Sequence, residues 1–100
     1  MRLFDKIATK LNERKLDSFL SNSLYGLLDR FVTIEENVTK GALQPDEAID
    51  FLRRVCQDVK NDLLSVKELN ENVFNKYEKN FKVHLLLVEK YINSLSVHHL

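Results

Sequence analysis

The chain has 100 residues, of which 44% are hydrophobic and 30% charged, and its 15 basic and 15 acidic side chains give a formal net charge of zero. This composition excludes an intrinsically disordered chain, and the length predicts a single domain over residues 1–100. Proteins that grip nucleic acid through its phosphates usually carry a basic surplus, so a nucleic-acid partner is not expected.

Cysteine usage and the length of the apolar runs bear on location. Cys56 is the only cysteine, so no intramolecular disulfide can form and a reducing compartment is the simpler expectation. The longest apolar run, Leu85–Val88, is far shorter than the roughly 20 residues that span a bilayer. No apolar signal core follows the first residues. We therefore expect a cytoplasmic protein with no membrane span.

Apolar residues at helical spacing begin at the N-terminus. A short stripe contains Leu3, Phe4, Ile7 and Leu11, and a longer one contains Leu20, Leu24, Leu27, Phe31, Ile34 and Val38. These stripes predict helices over residues 3–16 and 18–39. The rhythm breaks after Leu11, and the serines near position 20 favour caps or bends. The pattern therefore leaves open one fused helix or two helices with a joint in 15–22.

The clearest turn signal lies in residues 39–47. Gly41 suits the left-handed residue that ends a helix, and Pro45 suits the first position of the next one. Asp46 and Glu47 then place negative charge at the positive end of the new helix. We predict a helix end near Lys40 and a helix start near Pro45.

After this turn the apolar residues recur in steps of three and four. They are Ile49, Leu52, Cys56, Val59, Leu63, Val66, Val73 and Tyr77, followed by Phe81, Leu85, Val88, Ile92 and Leu95. Asn70 is the polar member of this series and allows two interpretations. It either ends the helix as an exposed cap, giving helices 45–69 and 72–96, or lies inside one long helix as a residue that sets coiled-coil register and oligomeric state.

The predicted fold class is all-α, an antiparallel bundle of three to four long amphipathic helices with coiled-coil-like packing. Short connections make sequential helices pack antiparallel. No sustained alternation of apolar and polar residues indicates a strand. No motif in the sequence points to a particular family.

Residues that could carry chemistry are sparse. His84 has no second ligand at helical spacing, and His98 and His99 are adjacent, so that their side chains point apart on a helix. Cys56 lies within the apolar stripe and fits a small buried hydrophobe better than a reactive thiol. Two isolated glycines cannot form a phosphate-binding loop. We expect no enzyme activity, no cofactor and no metal site.

A basic stripe in the first helix is the main charged feature. It consists of Lys6, Lys10 and Arg14, with Lys15 beside it. The simplest interpretation is a solvated helix face, and the functional alternatives are contact with a membrane surface or with an acidic partner. A second lysine group, Lys76, Lys79 and Lys82, is mixed with Tyr77 and Phe81, but these aromatics follow the apolar stripe of the helix and are better explained by core packing than by base stacking. Either group could serve a nucleic-acid-associated regulator.

The lack of catalytic motifs and the length of the apolar stripes favour a protein–protein interaction module. Such a module could be an adaptor, an inhibitor or immunity-type protein, or a chaperone-like bundle. Its partner would be another protein or a second copy in a homodimer. The candidate interface residues are apolar and lie off the main stripe: Leu64, Phe74, Leu86 and Leu87. The alternative function is a nucleic-acid-associated regulatory accessory protein.

Overall fold

The computed structural model describes the backbone of residues 3–99, and the side chains of residue 10 and of residues 12–97. Three helices make up most of this range: α1, Leu3–Thr39; α2, Pro45–Leu69; and α3, Glu71–His99. No strand occurs between residues 3 and 99. The predicted all-α helical bundle is confirmed, and it contains three helices.

Helix α1 is continuous over 37 residues, about 55 Å at 1.5 Å per residue. The fused alternative is therefore correct, and the predicted joint in 15–22 is wrong. The Ser23 hydroxyl donates to the Asp62 carboxylate of α2 at 2.8 Å, so it is engaged across the bundle. Leu20 in the same region is fully buried and ties this part of α1 to the core. The predicted stripe from Leu3 to Leu11 lies outside the described side chains.

The turn between α1 and α2 has the predicted chemistry. Gly41 has a φ of 77°, its N–H donates to the Val38 carbonyl at 3.1 Å, and the Ala42 N–H donates to the Asn37 carbonyl at 2.9 Å. These two bonds form a Schellman motif, which satisfies carbonyls left open at a helix C-terminus. Pro45 then opens α2, so both predicted boundaries are confirmed.

Asn70 separates α2 from α3 and acts as a helix cap. Its backbone is extended, with φ −161° and ψ 103°, and its side-chain oxygen accepts the Val73 N–H at 3.1 Å. Its carbonyl accepts the Phe74 N–H at 3.1 Å, the first bond of α3. The interpretation of Asn70 as an interior register residue is wrong, because the side chain satisfies a helix N-terminus instead of facing another helix.

The core is formed by one apolar stripe from each helix, as the spacing predicts. The buried residues are Leu20, Leu27 and Ile34 from α1, Ala48, Leu52, Val55, Cys56, Val59, Leu63 and Val66 from α2, and Val73, Phe74, Phe81, Leu85, Val88, Ile92 and Leu95 from α3. Each valine, leucine, isoleucine or phenylalanine among them contributes about 1.5–3 kcal/mol when removed from water. No described side chain that is polar or charged is buried with them.

Contacts between the helices show an up–down–up arrangement. Phe31 and Tyr91 pack edge to face with ring centroids 5.3 Å apart, and Lys76 pairs with Asp17 at 2.7 Å. Because these partners are 60 and 59 residues apart in sequence, α1 and α3 run parallel in register. α2 runs antiparallel to both and contacts each of them. The molecule measures 61 × 19 × 16 Å. None of the described helices contains a segment apolar and long enough to cross a bilayer.

Replacing Gly41 by alanine should destabilise the protein by about 1 kcal/mol or more, because a side chain at positive φ is strained. Nothing lies within 4 Å of a Cβ at this position, so the cost comes from the backbone alone. Gly26→Ala is the matched control: it lies within α1, also has open space, and should stabilise by about 0.5–1 kcal/mol. Urea unfolding measures the change in the free energy of unfolding for each variant. Changes of the same sign in both variants would contradict the assignment of the turn at Gly41.

Replacing Asn70 by alanine should cost about 1 kcal/mol, because the Val73 N–H loses its acceptor. Asn70→Asp should retain the cap, and Asn70→Leu should also destabilise. Asn75→Ala, at an exposed position within α3, controls for helix propensity and should not destabilise. Thermal melting compares the four variants with the wild type, and an Asn70→Leu variant more stable than the wild type would favour the register interpretation instead.

Candidate functional site

Of the four apolar residues predicted to form an interface, three lie at the surface. Leu64, Leu86 and Leu87 are 54%, 53% and 52% exposed, respectively. Phe74 is only 9% exposed and belongs to the core, so its prediction as an interface residue is wrong. It lies in the first turn of α3, where its ring packs inward and the Lys67 ammonium lies 5.2 Å from the ring centroid.

Along α3, the exposed leucines belong to a longer apolar ridge. Val83 is half-exposed and, with Leu86 and Leu87, follows the three- and four-residue spacing of one helix face. Lys79 and Lys90 continue this face at either end, and both are exposed. The outer face of α3 is therefore an apolar ridge between two lysines. We call Val83, Leu86 and Leu87 the α3 ridge.

The α3 ridge borders a groove between α1 and α3. Because residue positions in α1 face positions about 60 higher in α3, Leu28 of α1 lies level with Leu87. Tyr25, one turn before Leu28, is 71% exposed, and Val32, one turn after it, is half-exposed. Leu28, Tyr25, Val32 and Val83 were not singled out from the sequence as candidate interface residues. Their spacing from the buried stripe of each helix was the available signal.

The same groove becomes polar toward the start of α3. Here it forms a depression of about 440 Å³ lined by Lys10, Glu13, Arg14, Asp17, Asn72, Val73 and Lys76. The described residues of the predicted basic patch lie on two adjoining surfaces. Lys10 and Arg14 line the groove, and Arg14 also lines, with Lys15, Ser18 and Phe19, a shallower surface beside it. The Lys6 side chain lies outside the described residues.

An ion pair connects the two helices across this polar end. The Lys76 ammonium donates to the Asp17 carboxylate at 2.7 Å. This hydrogen bond is the main reason that the pKa of Asp17 lies below its ordinary value, and the Tyr77 hydroxyl adds a second hydrogen bond. The pKa of Tyr77 is raised, first by burial and then by the hydrogen bond to Asp17. The pair is exposed, so its contribution to stability is small.

The surroundings of the other described residues that could carry chemistry give each of them a structural role. Cys56 is buried, and burial raises the pKa of its thiol, which favours the unreactive form. His84 lies 2.6 Å from the Asn80 carbonyl through Nδ1, so this nitrogen must carry the proton. Among the described side chains, no three histidine, cysteine or carboxylate residues cluster as a metal site would require. His98 and His99 lie outside the described side chains.

Replacing Lys76 by methionine should raise the pKa of Asp17 toward its ordinary value, because the hydrogen bond that lowers it is removed. In the wild type the pair stabilises the fold above the ordinary pKa of Asp17, and this contribution is lost as pH falls through the lowered value. Carboxyl-detected NMR titration measures the shift. Lys79→Met, which removes an exposed lysine of the same helix, should leave the Asp17 titration unchanged; a shift there would show that general charge, not this contact, sets the pKa.

No protein-family model matches this sequence, and no curated protein or solved structure shows significant similarity to it.

Proposed function

We propose that this protein is a non-catalytic protein–protein interaction module that binds another protein through the outer face of α3. The observation that carries the proposal is the α3 ridge, three half-exposed apolar side chains on a helix whose opposite face is packed in the core. Contiguous apolar surface of this kind is typical of interaction sites, whereas single exposed apolar residues are ordinary.

The α3 ridge is large enough to mark a site but too small to account for binding alone. Burying the exposed half of each side chain supplies roughly 1 kcal/mol, hence roughly 3 kcal/mol for the three. A micromolar complex needs about 8 kcal/mol. The interface must therefore extend beyond the α3 ridge. It can extend toward Leu64 on α2 or into the groove between α3 and α1.

Charge on the α3 face favours a different protein over a second copy. The described side chains form ion pairs at Lys60–Glu89, Lys76–Asp17 and Lys82–Glu78. Lys79 and Lys90 are outside these pairs and flank the α3 ridge. A symmetric contact between two α3 ridges would bring lysines of the two copies toward each other, which is unfavourable. An acidic surface on a different protein would be attracted.

Nucleic acid is the weaker alternative. Three surface lysines of the bundle are already paired with its own carboxylates, and the formal net charge is zero. Phosphate binding depends on a surplus of basic groups, whereas the α3 face is mainly apolar. We also propose a cytosolic location, on the ground that the single cysteine needs no oxidising compartment.

Photo-crosslinking in the native cell tests the proposal. The full chain would carry a photoreactive phenylalanine analogue at Leu87 or, as control, at Arg54 on the exposed face of α2. We expect one protein to crosslink at Leu87 and not at Arg54. That protein, purified, should bind the wild type, and the double variant Leu86→Gln/Leu87→Gln should lose at least tenfold in affinity.

A matched variant separates loss of the interface from general surface change. Leu69→Gln removes an equally apolar and 70% exposed side chain at the end of α2 and should bind as the wild type does. All variants should melt within a few degrees of the wild type. Crosslinks that form only to RNA or DNA, crosslinks between copies of the chain, or equal binding by the double variant would each overturn the proposal.

A further inference from the structure

Two contacts between α1 and α3 lie along the groove between these helices. The Asp17–Lys76 ion pair crosses it where the depression lined by Lys10 and Arg14 gives way to the section toward Leu28, and the Phe31 and Tyr91 rings meet farther along. The pKa of Tyr91 is raised first by burial and then by the negative charge of Glu35. The groove therefore runs along two parallel helices for several turns.

Apolar side chains line both margins of the middle section. On α1, steps of three and four residues from Asp17 lead through Ser21 to Leu28, and Val32 and Tyr25 stand beside Leu28. On α3, the same steps from Lys76 lead through Asn80 to Val83 and Leu87. The apolar margins are therefore Tyr25, Leu28 and Val32 on one side and Val83 and Leu87 on the other.

Cations outside the ion pairs of the described residues lie at or near the polar end of the groove. The ion pairs of the described residues use Asp17 for Lys76, so Lys10 and Arg14 remain without an ion pair among those residues. Lys79 stands outside the pairs too, three residues beyond Lys76 on α3. The groove thus has an apolar middle and a polar end at which Lys10 and Arg14 outnumber the one carboxylate, Glu13, that lines it outside the Asp17–Lys76 pair.

The geometry points to a single amphipathic helix of a partner protein that lies along the α1–α3 groove and completes a four-helix arrangement, with apolar residues over Leu28, Val32 and Leu87 and carboxylates over Lys10 and Arg14. This inference rests on the proposed function and names its partner surface. The distance from Lys10 to Val32 is 22 residues of helix, about 33 Å, so the partner helix needs about six turns.

Placing the partner in this groove rather than toward α2 has a physical basis. Leu64 is exposed, but on α2 it stands near the Lys60–Glu89 ion pair, where the charges already neutralise each other. Toward α1, the partner gains apolar contact from two helices and reaches Lys10 and Arg14, two cations against the one carboxylate, Glu13, that lines the depression outside the Asp17–Lys76 pair. Both the apolar area and the charge are complementary to an acidic amphipathic helix, as a helix-in-groove interface requires.

A synthetic peptide tests this placement with the full-length protein. The probe is a 22-residue amphipathic helix with leucines on one face and glutamates flanking that face over one half. Two comparison peptides have lysines in place of the glutamates, or the same composition in scrambled order. We expect the acidic peptide alone to bind and to shift the backbone amide NMR signals of Leu28, Val32, Val83 and Leu87, with those around Leu64 unchanged.

Variants of both groove regions make the test specific. Lys10→Glu/Arg14→Glu should weaken the acidic peptide about tenfold and improve binding of the lysine peptide, and added salt should reduce both effects. Val32→Gln should weaken the acidic peptide severalfold. Leu64→Gln, which changes an equally exposed apolar residue on α2, is the control and should have no effect.

The outcomes distinguish the groove from the proposed function. Absence of peptide binding, insensitivity to the charge reversal, or NMR shifts confined to the surface around Leu64 and Leu86 would overturn the groove placement. Crosslinking of a natural partner at Leu87 would still support the interaction module in those cases. Dimerisation of the protein alone that is abolished by Val32→Gln would show that a second copy occupies the groove and would overturn both inferences.

Discussion

Burial of one apolar stripe from each helix is the constraint on which the rest of the structure depends. Leu20, Leu27, Leu52 and Phe81 are fully removed from solvent, although they come from three different helices. Each helix must therefore turn its stripe toward a common axis, and this sets the rotation of every other side chain. The apolar residues that remain outside, including the α3 ridge, are left over after this condition is met. Their exposure is a consequence of the core and not of local preference.

The two connections convert this shared core into a specific register. Gly41 closes α1 with a Schellman motif, and Asn70 links α2 to α3 through one non-helical residue. Such short connections leave little freedom for one helix to slide along the next. Since α1 and α3 are both registered against α2, they are registered against each other. The Asp17–Lys76 ion pair and the Phe31–Tyr91 ring contact are the visible results.

Charge then distinguishes the faces of a chain whose net charge is zero. Carboxylates of the bundle neutralise Lys60, Lys76 and Lys82, two of them across helix–helix contacts. Among the cations outside these pairs, Lys10 and Arg14 line the polar end of the α1–α3 groove. A neutral composition therefore conceals an uneven surface. Exposed ion pairs add little to stability, but they determine where positive charge remains available to a partner.

The sequence determined the helical class, the buried stripe of each helix, the turn at Gly41 and Pro45, and a helix boundary near Asn70. All of these depend on residues close together in the chain, through side-chain spacing or local hydrogen bonds. Leu64, Leu86 and Leu87 were correctly placed outside the stripe for the same reason. The domain assignment, the interaction function and the partner remain predictions.

Tertiary structure alone decided which margins of each stripe stay exposed. Phe74 lies off the stripe when the spacing is counted on from α2, but it lies seven residues before Phe81 and is buried on the same side of α3. Its position could be counted correctly only once the helix boundary at Asn70 was established. How far the residues beside each stripe are covered depends on where the other two helices lie, which the spacing within one helix does not contain. α1 is likewise continuous through its serine-rich part, where Ser23 donates to Asp62, 39 residues away, a contact that the local pattern does not contain. The α1–α3 groove arises only when residues some 60 positions apart are brought level, because its two margins belong to helices that are not sequential neighbours.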